Sequence, residues 1–218
     1  MAKRKISQLA PGSIIIEHFG GLTNLTSWGQ KMVKIYTKDA RAGSTKATHA
    51  TLVLKEHIFA HAHPRGIEKN YLTMMMDEDL DHLSVYECTA TLFSAYVAKI
   101  AEKWIINRES PKDYKQRKAV RTIFGTHTYG SKAKKRAKLY HDHALTIGGP
   151  PGLHSKPKEE YKKRMICSTF VIACWQAAIG PTQASKYMAL DANHTSPMTL
   201  EGYLRNNNNW KEYGIKPN

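Results

Sequence analysis

The chain has 218 residues, 41% of them hydrophobic and 23% charged, which is ordinary for a globular domain with a real core. Lys and Arg number 33 against 18 acidic residues, a net charge of +15, so the surface is drawn to polyanions. Three cysteines, Cys88, Cys167 and Cys174, with no CxxC pair, exclude a disulfide framework and a thiolate zinc site.

The basic start MAKRKISQLAPGSIII resembles a leader only briefly, because Gln8 and Pro11 interrupt its apolar run and Glu17 and His18 end it. We expect no signal peptide and no membrane span, hence a chain cytoplasmic as made, exported if at all by a leaderless route. Ser13–Ile16, after Pro11-Gly12, reads as a short buried strand. Gly20-Gly21 and Gly43-Ser44 mark turns in the mixed stretch that follows. HATLVL and HIFAHA are two strands close enough to form a hairpin, and HLSVYEC is a third strand of the same sheet.

Leu92–Ile106 has apolar residues at helical spacing. From about 107 to 163 the chain turns basic and rich in Gly and Pro, as in a long insertion with helical pieces; it holds SKAKKRAK, HDH and IGGPPGLHSKPK. Met165–Gly180 is a buried helix ended by Gly180-Pro181, and Ser196–Leu204 is a short capped helix before the polar tail. Strands followed by helices predict one α+β domain over residues 1–218, with an antiparallel β-sheet packed against helices.

Four histidines lie between Lys46 and Ile67: His49, His57, His61 and His63. A three-residue turn at Lys55-Glu56-His57 sets Thr51 opposite His61 and puts His49 and His61 on one face as diagonal neighbours. A two-residue turn sends them to opposite faces, and the sequence permits either. His57 and His63 read as turn and edge residues. Cys167 opens the buried helix, where the helix dipole favours a thiolate. A cysteine nucleophile needs a histidine to take its proton and a polar group to orient that histidine. Cys167, His49 and His61 supply that set. Cys88 and Cys174 read as buried small hydrophobes.

PGSIII, THATLVL, FAHAHPRGI and CSTFVIACWQAA together resemble the circularly permuted branch of the NlpC-type papain-like hydrolases. The matching pieces are Pro11-Gly12, Thr48-His49, Ala62-His63-Pro64-Arg65-Gly66 and Cys167-Ser168. The His, His, Cys order is also similar to the lecithin–retinol acyltransferase family. The resemblance covers residues 11 to about 180, and the basic region has no counterpart in it. It implies a permuted papain-like fold, Cys167 as nucleophile, His49 as base and acid, and His61 as orienter, with no cofactor and no metal. Many permuted members carry an acidic residue where this chain has His61. The implied substrates are phospholipid acyl esters or the peptide stems of peptidoglycan. A basic hydrolase of this kind also fits a secreted toxin with an immunity or delivery partner.

Two rival readings are open. HAH (His61, His63) and HDH (His141, His143) offer imidazoles to zinc. The run Lys132, Lys134, Lys135, Arg136 and Lys138 offers a docking patch for an anionic membrane or, less favoured, nucleic acid; in a pure binding module Cys167 is structural. No aromatic series of the kind that stacks single-stranded bases accompanies it.

Overall fold

The computed structural model describes residues 2–18, 46–63, 66–71, 80–106, 128–146 and 166–216. The expected turns at Gly20-Gly21 and Gly43-Ser44, and the segment Ile147–Lys158, lie outside them, as do Pro64 and Arg65. The strands are β1 (Lys3–Lys5), β2 (Ile14–His18), β3 (Ala47–Lys55), β4 (Ile58–His63), β5 (Gly66–Tyr71), β6 (Leu83–Cys88) and β7 (Trp210–Lys216). The helices are α1 (Thr91–Ile106), α2 (Ser131–Thr146), α3 (Cys167–Tyr187) and α4 (Pro197–Arg205).

The strands form a 7-stranded sheet in the order β1-β7-β6-β2-β3-β4-β5. Only β1 and β7 pair in parallel; the other neighbours are antiparallel. The fold is α+β, as expected. Because strand side chains alternate, each face has its own core. One face carries Ile14, Ile16, Leu52, Leu54, Ala60 and Ala62, which pack against α1 and α3 around Trp104, Phe170 and Trp175. The other carries Ile15, Val53, Phe59 and Val85, covered by Ile6, Leu9 and Leu80.

Every residue of α3 from Cys167 to Gly180 is buried. A helix apolar all round belongs inside a protein. Its polar side chains face chain segments rather than water. Ser168 donates to the Thr195 carbonyl at 2.6 Å, Thr169 to that of Ala192 at 2.7 Å, and Gln176 to that of Leu190 at 2.7 Å. These bonds strap the loop after α3 back onto its body.

The predicted stop at Gly180-Pro181 is visible as a break inside α3: Gly180 has φ 71, and helix resumes at Pro181. A Cβ at Gly180 would lie 3.4 Å from the His141 ring of α2. Gly180→Ala is therefore expected to cost about 1–2 kcal/mol, mostly from left-handed backbone strain. Chemical denaturation of both proteins measures it.

Three strands escaped the sequence reading: β1, β5 and β7. With β5 in place, β4 has a partner on its outer side, where His63 pairs with Gly66. The predicted helical pieces of the basic region include α2. It buries Ala133, Ala137, Tyr140 and Ala144, a stripe at helical spacing, and turns its lysines outward.

Candidate active site

The β3–β4 hairpin fixes the histidines. Its ladder pairs Leu52 with Ala60 and Val53 with Phe59, then shifts to Lys55 with Ile58. The turn itself is two residues, Glu56-His57, not the expected three with Leu54 opposite Ile58; a bulge between Val53 and Lys55 gives the rest of the ladder the register expected of the three-residue turn. His57 supplies the residue that must turn left-handed, with φ 57. Glycine is usual there, but histidine is among the side chains that enter this region more readily than most.

Continued toward the start of β3, the same register places His49 and His61 on one face. His49 Nε2 lies 2.8 Å from His61 Nδ1, and the rings meet edge to face with centroids 5.1 Å apart. The outer nitrogen of His61, Nε2, lies 3.1 Å from the side-chain amide of Asn70 on β5. Phe59 packs edge-on against the His61 ring at 5.6 Å. His61 is thus buried and gripped from three sides, whereas His49 is half-buried.

The pair shares its face with Val53 and Phe59, away from the body of α3. The cysteine approaches at a break in the sheet. Val53 exchanges hydrogen bonds with the segment ahead of β2: Val53 N–H donates to the Ser13 carbonyl, and Gly12 N–H donates to the Val53 carbonyl. By alternation, Leu52 and Ala50 direct their amides toward β4. Leu52 finds Ala60 there, but the ladder ends with that pair. The Ala50 N–H is instead one of three backbone amides, with those of Ser168 and Cys167 itself, that favour a charge on the Cys167 thiol. The start of α3 is therefore seated where β3 and β4 part.

Two neighbours of His49 act on the thiol. Ala50 follows it in the chain. Glu17 on β2 is its cross-strand partner, and its charge works against a thiolate. Thr48 is the extra residue of a bulge in β3 beside this pair, and its hydroxyl reaches back toward the Glu17 carbonyl at 3.4 Å.

The expected lowering of the Cys167 pKa is not met. The side chain is only 4% exposed, and burial pushes the thiol up to about 11 despite the three backbone amides that favour its charge. Desolvation outweighs the helix-end field here. Cys88 and Cys174 are buried, free and likewise raised by burial.

HDH is not a chelate: residues two apart on a helix point to different sides. His141 Nδ1 donates to the Ala177 carbonyl at 2.7 Å instead. For HAH, only His61 has a described side chain. Among the described residues, no group of three or more His, Cys, Asp or Glu converges to hold a metal ion.

Of the basic run, Lys132, Lys134, Lys135 and Lys138 are exposed, and Lys138 pairs with Asp142 at 2.8 Å. Arg136 is committed to the buried Asp191. It braces α2 against the loop that Ser168 and Thr169 hold.

Sequence reasoning also missed a second polar cluster. His18 Nε2 meets Glu201 on α4 at 2.7 Å, and Glu201 is fully buried with Arg205 at 2.9 Å. Burial opposes a charge on His18, but the hydrogen bond and charge of Glu201 outweigh it and raise the pKa above 6.5. This contribution to stability is full below pH 6.5 and is lost as pH rises through the raised value. Denaturation midpoints taken at about pH 6 and about pH 8 should therefore fall with pH. His18→Gln should remove that part of the fall.

No helix among the described residues is long and apolar enough to cross a membrane. No protein-family model, no curated protein and no solved structure matches the chain.

Proposed function

We propose that this chain is a cysteine-dependent acyl hydrolase or acyltransferase with a circularly permuted papain-like fold. The observation that carries the reading is the His49–His61 hydrogen bond beside the thiol's seat at Ala50. The raised thiol pKa fits a cysteine that is neutral at rest and loses its proton as it attacks. His49 takes the proton, and the sulfur adds to an ester or amide carbonyl. Backbone N–H groups at the start of α3 receive the developing oxyanion. His49 then returns the proton to the departing alcohol or amine, and water or an acceptor releases the acyl group from Cys167. No step calls for a metal or an organic cofactor.

The substrate we favour is a phospholipid acyl ester. The exposed lysines of α2 supply a face for an anionic membrane. Peptide bonds of peptidoglycan are the alternative, cleaved by the same chemistry. Purified protein incubated in parallel with anionic phospholipid vesicles and with wall sacculi tests both. Fatty acid release that depends on Cys167 supports the lipid reading, and peptide release transfers it to the wall. No Cys167-dependent release from either overturns the enzyme.

The second reading is a basic membrane- or nucleic-acid-binding module with a structural cysteine. The burial and raised pKa of Cys167 favour it. It predicts vesicle binding that Cys167→Ala leaves intact, without turnover by the parent protein.

A further inference from the structure

We propose that Asn70 is a positioning residue whose side-chain amide selects the tautomer of His61 and, through it, the nitrogen at which His49 accepts a proton. The proposal rests on the thiol chemistry above only for its consequence, not for its geometry.

A neutral imidazole has one N–H and one lone pair. At 2.8 Å, His49 Nε2 and His61 Nδ1 share a single proton. Which ring owns it depends on the far nitrogen of His61, and Asn70 stands 3.1 Å from that nitrogen. An amide can present its NH2 or its carbonyl at the same place, related by a half-turn of the group.

The two orientations have opposite outcomes. With Nδ2 facing His61, as placed in this structure, the amide donates to His61 Nε2. His61 then carries its proton on Nδ1 and donates to His49 Nε2. The remaining proton of His49 sits on Nδ1, and neither of its nitrogens accepts one from a thiol. With Oδ1 facing His61, every bond reverses. His61 Nε2–H donates to Asn70, His49 Nε2–H donates to His61 Nδ1, and His49 Nδ1 holds the lone pair. Only this second arrangement makes His49 a base. A half-turn of one amide thus moves the basic nitrogen two strands away, with no backbone change.

The charged groups around the row are Glu17, across from His49 on β2, and Glu68, across from His61 on β5. Both carboxylates favour protonated rings, so the tautomers are read at a pH high enough for both rings to show the nitrogen-15 signals of neutral imidazole.

Nitrogen-15 NMR of histidine-labelled protein reads each tautomer directly. Asn70→Asp offers an acceptor only and should hold His49 wholly in the Nδ1 lone-pair form. Asn70→Ala removes the choice and should give a mixture, with kcat lowered about tenfold and restored in Asn70→Asp. Equal thermal midpoints across the three proteins exclude a packing effect. Identical histidine signatures in all three overturn the proposal, as does loss of activity in Asn70→Asp equal to that in Asn70→Ala. If the tautomers shift as stated while no variant or parent turns over substrate, the relay stands and the enzyme reading falls.

Discussion

Cys167→Ala is expected to abolish turnover while leaving the fold intact. If Cys167 is the nucleophile, its removal ends the covalent route rather than slowing it, and a loss of about 10⁴-fold or more in kcat is expected. That corresponds to about 5 kcal/mol or more of transition-state stabilisation. The structural cost is far smaller. The thiol is buried at the start of α3, and Cys167→Ala removes a single heavy atom, the sulfur. A loss of about 1 kcal/mol is expected, as for other small deletions. Activity assays beside urea unfolding separate the two. A variant that keeps more than a tenth of parental turnover would show that Cys167 is not the nucleophile.

The largest effect on stability is expected from Gly12→Ala. Gly12 turns the chain into β2 with φ +82, and its N–H donates to the Val53 carbonyl at 2.7 Å. A Cβ there would lie 2.3 Å from the Ser94 carbonyl oxygen. That oxygen is backbone of α1, so no side-chain rotation relieves the clash. Either α1 moves away from the sheet or the turn gives up its bond to β3. Left-handed strain adds about 1–2 kcal/mol, and the total is expected near 3–5 kcal/mol. Gly130→Ala is the control: nothing lies within 4 Å of its Cβ position, and a change of about 1 kcal/mol or less is expected. Urea midpoints of the three proteins measure the contrast. Gly12 is half of the Pro11-Gly12 pair in the sequence resemblance, and its close approach to α1 is the physical reason glycine is needed there.

The elements legible in the sequence were those with strong periods. HATLVL and IFAHA alternate between two buried faces, α1 repeats at helical spacing, and α3 is an unbroken apolar run ended by Gly180-Pro181, so a hairpin and two helices followed directly. The missed strands lack that signal. β1 is Lys-Arg-Lys on the sheet edge, and β7 carries Lys, Glu and Gly within seven residues. Both are strands because a neighbour offers a free ladder, which no local pattern reports. β5, Gly-Ile-Glu-Lys-Asn-Tyr, does alternate, but weakly, and Pro64-Arg65 directly precedes it in the sequence. Missing it hid Asn70, the outer partner of His61. His49 and His61 were legible because the hairpin register is a local matter. The state of the Cys167 thiol was not, because it is set by burial among segments distant in the chain.

The parting of β3 and β4 also bears on when the site exists. His49 and His61 meet within a hairpin, a local contact that closes quickly. Cys167 lies over a hundred residues later, and its seat at Ala50 requires a long loop to close. During synthesis the histidine pair therefore forms on a growing chain that does not yet hold Cys167. Chain order makes the two-histidine half an early product and the complete site a late one, dependent on the arrival of α3.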